Sequence, residues 1–313
     1  MRWLRVALLF LLVFGLIINA PWVFQHAYAA YFRRLTGQIP PWPGPGAGER
    51  VLLLSPHPDD ESACCGGLVR RALSQGAEVY VVWLTSGDGF EWDAALLGRT
   101  LRPSPKDHRD LALRRMGEAR AAAERLGLPE THLFFLGYPD RGLLHLFLEH
   151  YTQPYRSPYT GLEAVSYPGS FHPGAPYTGQ ALEADLGRVV ENVRPTLLLA
   201  PSPLDAHVDH RATGYLALRL LGTHSGLKGA FYIVHGGLEW PLPKGYHPAL
   251  ALEPPPRGRG LPWLWLDLTP KEEEAKRQAL LAHRSQMQIL GRFLLAFVRK
   301  NELFSPEALP KAH

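Results

Sequence analysis

One imidazole and three consecutive carboxylates follow a short apolar run close to residue 50. The apolar run is Val51–Leu54, and the polar side chains belong to His57, Asp59, Asp60 and Glu61. Carboxylates this close repel one another unless a positive charge neutralises them, and a divalent cation does so most directly. The segment therefore predicts a strand that ends in a proline-stiffened turn and carries one half of a metal site.

A second cluster of histidine and aspartate has the equivalent position in the second half of the chain. His207, Asp209 and His210 follow the apolar run Leu197–Ala200. Each cluster alone has a plainer interpretation, because aspartate residues in a turn often cap the next helix. Two such clusters, each at the end of a predicted strand, favour a single metal site to which both contribute.

The spacing within the clusters indicates which side chains bind the ion. His57 and Asp60 are three residues apart in a turn and can bind one ion together. A catalytic zinc ion takes three protein ligands and keeps a position for water, so His207 and His210 are the candidates for the third ligand. Asp59 cannot easily share the direction of Asp60, and we expect it to project elsewhere as a base. These ligand types also suit another divalent ion such as Fe²⁺ or Co²⁺ in place of Zn²⁺.

Apolar runs alternate with helical patterns through the middle of the chain. The predicted strands are 51–54, 78–85, 132–136, 196–200 and 230–234. The predicted helices are 62–75, 107–127, 180–193 and 208–221. This alternation predicts an α/β, Rossmann-like fold with a mostly parallel sheet and helices on both faces. In such sheets ligands bind outside the carboxyl ends of the strands, where both clusters lie.

Two later segments depart from this alternation, and a last strand and helix follow them. Residues 141–179 are rich in Tyr, Pro, Gly and Ser, and they form either an insertion or substrate loop, with aromatics suited to stacking on sugar rings, or a plain surface excursion. Residues 245–262 are a proline-rich bridge to a last strand at 263–269. One final helix is predicted from Pro270 to about Lys300, with Thr269 as its cap.

The N-terminal residues lie outside the predicted globular domain. We expect residues 1–38 to be a membrane anchor with a juxtamembrane segment, 39–48 to be a Pro/Gly-rich linker, and 49–313 to be the globular domain. The span from Val6 to Phe24 is just long enough to cross a bilayer as one transmembrane helix. A cleaved signal peptide is the alternative, because Ala27–Ala29 is an A-x-A site, although that site lies well beyond the apolar run.

Charged residues on either side of the apolar span bear on its orientation. Arg2 and Arg5 precede the span, and they favour a cytoplasmic N-terminus with the domain on the extracytoplasmic side of a bacterial inner membrane. Arg33 and Arg34 follow the span and weaken that bias.

Composition argues against several classes of function. The net charge is only +4 and no Lys/Arg run carries interleaved aromatics, so we expect no nucleic-acid binding, and no protein partner is implied. The only cysteines are Cys64 and Cys65. Neighbouring cysteines rarely bridge, so we expect two unpaired thiols packed in a helix. Any metal site must then use histidine and carboxylate.

The two clusters together resemble the PIG-L or LmbE-like family of zinc-dependent N-acetylglucosaminyl deacetylases. The resemblance depends on His57-Pro-Asp-Asp-Glu61 and on His207-x-Asp209-His210, and it covers most of residues 50–290. Weaker matches follow in the family's order: Thr85–Asp88, Arg115-x-x-Glu118, Phe135–Asp140, Arg194–Pro195 and Lys276–Gln286. The family implies an N-acetylated sugar as substrate and zinc as cofactor.

The resemblance assigns zinc binding to His57, Asp60 and His210, and the role of general base to Asp59. These roles agree with the chemistry of amide hydrolysis, which needs a nucleophile at neutral pH. Water bound to zinc can have a pKa near 7 instead of about 15.7.

The resemblance also gives roles to four residues outside the ligand set. His207, oriented by Asp209, would stabilise the oxyanion and help to protonate the leaving amine. Arg115 and Asp140 resemble positions that hold sugar hydroxyls. The insertion and the N-terminal anchor depart from the family pattern and leave the substrate open.

The function that these observations imply is hydrolysis of the N-acetyl amide of an N-acetylglucosamine-type sugar. The substrate would be a glycolipid, a glycoconjugate or a surface polysaccharide, and the products acetate and a free amine. One alternative is an amidase or deacetylase of a soluble sugar–thiol conjugate, which would not need an anchor. Another is a catalytically silent carbohydrate-binding protein, although such a protein needs neither a base nor an acid beside its metal.

Several other polar residues have two possible interpretations. Asp88 either faces the site or ends a strand, and His283 and Gln286 either reach the site from the last helix or pack in the core. Six other histidines are expected to be structural or exposed: His132, His145, His172, His224, His235 and His247.

Overall fold

A five-stranded parallel sheet forms the centre of the protein. The computed structural model describes residues 2–36, 38–237 and 239–311. The strands of this sheet are β1 (Arg50–Ser55), β2 (Glu78–Thr85), β3 (Leu133–Tyr138), β4 (Leu197–Pro201) and β5 (Lys228–Tyr232). Their order is β3-β2-β1-β4-β5, and every neighbouring pair is parallel. The five predicted strands are thus confirmed, with ends that shift by two residues at most.

Helices cover both faces of the sheet. The helices of the described chain are α1 (Arg2–Thr36), which does not pack on the sheet, α2 (Asp60–Ser74), α3 (Glu91–Gly98), α4 (Pro105–Leu126), α5 (Leu143–Leu148), α6 (Gly179–Val193), α7 (Val208–Thr223), α8 (Pro270–Ala282) and α9 (Arg284–Leu294). Val51 and Leu53 of β1 pack into the same core as α2, α4 and α8, whereas Leu52 and Leu54 pack into the core with α6 and α7. Side chains of a strand alternate between its faces, so β1 is apolar throughout. The α/β fold class is confirmed.

The strand order brings the two polar clusters together. β1 pairs with β4, with Val51 opposite Leu197, although the two strands are far apart in sequence. The chain runs outward from β1 through β2 to β3 on one side, and from β4 to β5 on the other. The sheet order therefore reverses between β1 and β4, which is where parallel sheets bind ligands.

The end of the chain differs from the single long helix that we predicted. Thr269 caps α8 and forms a capping box with Glu272, as its position suggested. The helix ends at His283, whose backbone is not helical and whose Nε2 atom lies 2.9 Å from Glu61 Oε1. α9 follows, and then β7 (Asn301–Phe304), which pairs antiparallel with β6 (Leu264–Asp267). A contact with a residue 222 positions earlier breaks the helix, and no local pattern reveals it.

The segment 141–179 packs against the domain along much of its length. It begins with α5, and its buried residues include Val165, Tyr167 and Tyr177. Tyr167 donates a hydrogen bond to Asp88 Oδ2 at 2.5 Å, and Tyr177 donates one to a backbone carbonyl. These contacts favour the plainer of the two interpretations, a surface excursion held by its aromatic side chains.

The two cysteines correct an expectation. Cys64 and Cys65 form a disulfide inside α2, and both are buried. We expected unpaired thiols because adjacent residues hold their Cα atoms 3.8 Å apart, closer than the spacing common in disulfides. Neither sulfur is then available to a metal ion.

The N-terminal helix is long and apolar enough to cross a membrane. Residues Trp3–Ala20 of α1 have a mean hydropathy of 2.2, and none of them is buried. The predicted linker is partly ordered, because Trp42 donates a backbone hydrogen bond to Trp265 and Trp265 donates one to Pro40, each at 2.8 Å. The division into anchor, linker and domain stays a prediction.

A buried ion pair ties α2 to α8 and β7. Lys276 Nζ lies 2.7 Å from Glu302 Oε1, and both side chains are fully buried. Glu302 also accepts the backbone N–H groups of Gly67 and Leu68 at 2.8 Å. Because α2 begins with the residues of the first cluster, this contact helps to hold the site in place.

Replacing Glu302 should destabilise the protein strongly. The substitution Glu302→Ala leaves the charge of Lys276 and two backbone donors buried without their partner, and we expect a loss of about 3–5 kcal/mol in the free energy of unfolding. Chemical denaturation in detergent measures it. The control is Glu274→Ala, since Glu274 pairs with Arg277 at the surface and should cost less than about 1 kcal/mol. Equal effects of the two substitutions would contradict the role of the buried pair.

Candidate active site

The turn after β1 brings His57 and Asp60 into direct contact. The Oδ2 atom of Asp60 accepts the backbone N–H of His57 at 2.9 Å and lies 3.1 Å from His57 Nδ1. Asp60 is the first residue of α2, and both side chains are almost fully buried. The predicted pairing of these two residues in one turn is present.

The backbone of Asp59 is strained, and its neighbours hold it in place. Its φ angle of 130° lies in a region that side-chain-bearing residues rarely adopt. Glu61 Oε2 accepts the backbone N–H of Asp59 at 3.0 Å. Arg115, on α4, donates to the carbonyl of Pro58 at 2.7 Å and to Asp59 Oδ2 at 3.3 Å. The carboxylate of Asp59 therefore points away from that of Asp60, as the sequence suggested.

His210 faces Asp60 from the neighbouring strand end. Its Nε2 atom lies 3.1 Å from Asp60 Oδ2, and its Nδ1 atom lies 3.2 Å from Asp205 Oδ2. Asp205 also accepts the backbone N–H groups of Val234 and His235. A carboxylate on one ring nitrogen fixes the orientation of an imidazole and leaves the other nitrogen for a metal ion.

The side chain of Asp209 has a different partner from the one expected. Its Oδ2 atom lies 3.2 Å from His57 Nε2, and its carboxylate accepts the backbone N–H groups of Arg141 and Leu143. His207 instead accepts the backbone N–H of Asp209 through Nδ1 at 3.3 Å. Asp209 thus orients the ring of His57, and its link to His207 passes through the backbone.

Asp140, to which the resemblance gave a sugar-binding role, also contacts the His/Asp cluster directly. Its Oδ1 atom is 3.2 Å from His57 Nε2, and its Oδ2 atom accepts the backbone N–H of Gly89 at 2.9 Å. Asp88 accepts the backbone N–H of Asp140 at 3.1 Å and the hydroxyl of Tyr167. Asp88 therefore holds Asp140 in place from behind. It does not line the cavity itself, so the interpretation that it faces the site directly is not the one that the structure favours.

The donor atoms fit a divalent metal ion. Within the described residues, three sets of side chains have ligand atoms within 4.8 Å of one another: His57/His207/His210, Asp60/His210/His235 and His57/Asp140/Asp209. The predicted ligands His57, Asp60 and His210 are distributed over these three sets, and Asp60 Oδ2 lies 3.1 Å from a nitrogen of each of the two histidines. His210 Nε2 is buried and has no hydrogen-bond partner among the described residues, despite its proximity to Asp60. A buried nitrogen of this kind, aligned by Asp205, suits a metal ligand.

Burial and neighbouring charges shift the pKa values of this cluster. Burial raises the pKa of Asp59, while the guanidinium of Arg115 opposes the increase. Burial lowers the pKa of His210, but the carboxylates of Asp205 and Asp60 outweigh it and raise the value to about 10. Burial, together with His57 and His210, lowers the pKa of His207 to about 2, so this ring is neutral in the protein by itself.

These groups open onto one cavity of about 230 Å³. Its polar lining comprises His57, Asp59, Asp60, Arg115, Asp140, Arg141, His207, His235 and Gln286. Phe90, Leu290 and Phe293 are among its apolar lining residues. Every residue to which the sequence gave a site role lines this cavity, except Asp209 and His210, which contact lining residues from behind.

Comparison with known proteins identifies the family. The profile of the PIG-L family, described as GlcNAc-PI de-N-acetylase, matches residues 52–221, more than half of the 313-residue chain. The chain belongs to the PIG-L family. The match begins in β1 and ends in α7, so it includes both polar clusters.

Curated relatives of this PIG-L protein include sugar deacetylases. Diacetylchitobiose deacetylase of Thermococcus kodakarensis is 26% identical over 173 residues, which cover 54% of this chain and 48% of that protein. The 1D-myo-inositol 2-acetamido-2-deoxy-alpha-D-glucopyranoside deacetylase of Streptomyces scabiei is 30% identical over 194 residues, or 60% of this chain and 52% of the relative. The chain thus spans about half the length of these two relatives.

Solved structures share the fold of the PIG-L protein. The N,N'-diacetylchitobiose deacetylase from Pyrococcus horikoshii superposes with a TM-score of 0.54 and 22% identity, covering 90% of this chain and 91% of that one. A deacetylase triple mutant from the teicoplanin biosynthetic pathway gives a TM-score of 0.52 and 18% identity, covering 82% and 96%. At such identities the likeness concerns the fold alone.

The structure adds two residues that the sequence analysis did not assign to the site. His235, which we expected to be structural or exposed, lines the cavity and belongs to one of the three sets of possible metal ligands. Asp205 holds the ring of His210. His235 directly follows the run predicted as the fifth strand, so the criterion that selected His57 and His207 would have selected it too. Asp205 lies two residues before His207, where a turn or cap was an equally good explanation.

The two residues proposed from the last helix have different positions. Gln286 lines the cavity and donates a hydrogen bond to Asp93. His283 lies behind the turn, where its Nε2 atom contacts Glu61 and Ser62. The packing interpretation therefore holds for His283, whose contact with Glu61 supports the strained backbone of Asp59.

Proposed function

We propose that this protein hydrolyses the N-acetyl amide of an N-acetylglucosamine-type sugar and releases acetate and a free amine. One observation carries the proposal. Asp59 and His207 line the same cavity as a buried His/Asp cluster, and most of these residues lie within the segment matched by the PIG-L family. A base and a hydrogen-bond donor beside a metal site are what amide hydrolysis requires. The relatives named as deacetylases support this reaction class.

In this proposal His57, Asp60 and His210 hold a divalent ion, with zinc as the first choice. When bound, such an ion acidifies water and polarises the amide carbonyl. Asp205 and Asp209 keep the two imidazoles oriented through the contacts described above. The ligand types leave Fe²⁺ and Co²⁺ as alternatives.

Asp59 acts as the general base. Its carboxylate takes a proton from water while the water oxygen bonds to the acetyl carbon. Burial, which raises its pKa, favours the protonated form that results. Arg115 fixes its position, so the carboxylate needs no rearrangement when substrate binds.

His207 lines the cavity and donates a ring N–H to the oxyanion that forms on the carbonyl oxygen. As the C–N bond breaks, the amine needs one proton. Asp59 has just received one from water, and His207 is the second candidate donor. Loss of an oxyanion donor costs about 2.7–4 kcal/mol in other hydrolases.

Arg115 and Asp140 are the proposed contacts for sugar hydroxyls. Arg115 lines the cavity, and its buried Nε atom has no hydrogen-bond partner among the described residues. The two terminal nitrogens of the guanidinium donate to the carbonyls of Gly87 and Pro58 and to the carboxylate of Asp59. Asp140 offers a carboxylate at the same cavity.

We further propose that the substrate is a glycolipid, glycoconjugate or surface polysaccharide at a membrane. The apolar helix α1 supports an anchored enzyme, and the arginines before it favour a domain on the extracytoplasmic side of a bacterial inner membrane. A soluble sugar conjugate is the second candidate, because the Streptomyces scabiei relative is named for a sugar that carries no lipid.

Acetate release by the full-length protein in detergent tests the proposal. The substrates are N-acetylglucosamine-containing glycolipids, oligosaccharides and a soluble N-acetylated inositol glycoside. Chelator-treated protein should be inactive and should regain acetate release on addition of zinc. Metal-loaded protein that releases no acetate from any of these substrates would contradict the proposal and favour a binding role.

A further inference from the structure

A second concavity, larger than the active-site cavity, adjoins it. We call it the outer groove; it has a volume of about 1000 Å³ and lies between α3, the segment after it, and Tyr159. Phe90 lines the active-site cavity, and the next residue, Glu91, lines the outer groove. His108 of the groove donates a hydrogen bond through Nδ1 to the carbonyl of Asp88, whose side chain accepts the backbone N–H of Asp140. A molecule at the active site therefore has the outer groove as its neighbour.

Large apolar side chains line the outer groove and face solvent. Trp92 is 72% exposed, Leu96 is 49% exposed and Leu101 is 98% exposed. The opposite face of α3 is fixed to the domain, because Asp93 is buried and accepts a hydrogen bond from Gln286. Exposure of three such residues side by side marks an interaction surface.

The outer groove is also positively charged. Arg99 and Arg102 line it together with the three apolar residues, and Glu91 is the one carboxylate in its described lining. Tryptophan, leucine and arginine are the residues that peripheral proteins place at the boundary between lipid headgroups and acyl chains. The charge of the groove is complementary to an anionic phospholipid.

The place where α1 meets the domain is a second, independent argument for contact between this surface and a membrane. Trp22, near the C-terminal end of the apolar span, packs edge-on against His247 with ring centroids 4.9 Å apart. Gly245, in the same loop, donates a backbone hydrogen bond to Arg292, the neighbour of the cavity-lining Phe293. The end of the candidate span therefore meets the domain beside the active-site cavity.

We propose that the outer groove contacts the anionic phospholipid surface of the bilayer in which α1 is embedded. Trp92, Leu96 and Leu101 enter the interfacial region, and Arg99 and Arg102 bind lipid phosphates. The active-site cavity then opens toward the membrane surface, so the sugar of a lipid-linked substrate reaches it without leaving the bilayer. This inference deepens the proposed function and rests on its membrane anchoring.

Fluorescence of a label attached at position 101 tests the contact between the outer groove and the lipid surface. The two native cysteines are paired and buried, so Leu101→Cys adds a single reactive thiol to the full-length protein. The protein is placed in nanodiscs that contain a nitroxide-labelled lipid and either phosphatidylglycerol or only phosphatidylcholine. We expect about twofold or greater quenching of the label, stronger with phosphatidylglycerol.

Tyr215→Cys is the matched control. Tyr215 is 50% exposed on α7, which packs on the opposite face of the sheet from α4. Its label should keep its intensity in both lipids. Equal intensities at the two positions, or no quenching at position 101, would overturn the proposal and leave the outer groove to a soluble or protein partner.

A charge variant separates this inference from the proposed reaction. Arg99→Gln combined with Arg102→Gln should abolish the extra quenching by phosphatidylglycerol and slow acetate release from a glycolipid in nanodiscs. Acetate release from a soluble oligosaccharide should stay unchanged. If the double variant is still quenched more strongly in phosphatidylglycerol, Arg99 and Arg102 do not bind lipid phosphates. Failure of the unmodified protein to release acetate from any substrate contradicts the reaction, whatever the quenching shows.

Discussion

Asp59→Asn is expected to keep the metal ion and to lose nearly all turnover. Asparagine tolerates positive φ angles as aspartate does, so the strained turn survives the change. It accepts no proton from water, and loss of a general base lowers a rate by about 10²–10⁴. Metal analysis of the purified variant and kcat for acetate release measure the two effects.

Asp110→Asn is the control for this substitution. Asp110 pairs with Lys106 on the outer side of α4, away from the cavity, and its change should leave kcat unaltered. Full activity of Asp59→Asn would show that another group removes the proton. Loss of metal from Asp59→Asn would show that Asp59 serves as a ligand.

His210→Ala is expected to lose the metal ion. The substitution removes one of three proposed ligands, the one whose Nε2 atom is buried without a hydrogen-bond partner in the described structure. It also removes the partner of Asp205. Zinc content after dialysis against a chelator should fall to background, and acetate release should fall with it.

Asp205→Asn provides a graded comparison for this prediction. It leaves the ligand in place but weakens its orientation, so we expect zinc affinity to fall by about 10–100-fold. His224→Ala, at the end of α7, should leave the zinc content unchanged. Stoichiometric zinc in His210→Ala would contradict the ligand assignment, provided that the thermal unfolding of the variant shows a folded domain.

Much of the fold was predictable because it depends on short-range patterns. Each strand of the parallel sheet contains a short apolar run, and such a run is visible without knowledge of its neighbours. The break in the last helix at His283 was not predictable, because its cause is a contact with Glu61, 222 residues away. The paired cysteines were missed for a different reason, since the expectation relied on the usual spacing of disulfides.

The site shows the same division between local and distant causes. His57, Asp60 and His210 were selected by their type and by their position after apolar runs. His235 satisfies the same condition and was passed over, because a lone histidine gave no second signal. Asp205 is two residues from His207 in sequence, yet only its contacts with His210 and with the backbone of Val234 show that it orients His210.

The sequence by itself determined the kinds of side chain at the site, their order along the chain and their place at strand ends. These are properties of residue type and local periodicity, which each segment carries on its own. Only the tertiary structure decided that Asp209 turns toward His57, that Arg115 holds Asp59, and that the outer groove borders the cavity. Those contacts join residues from separate elements, and their distances depend on how strands and helices pack.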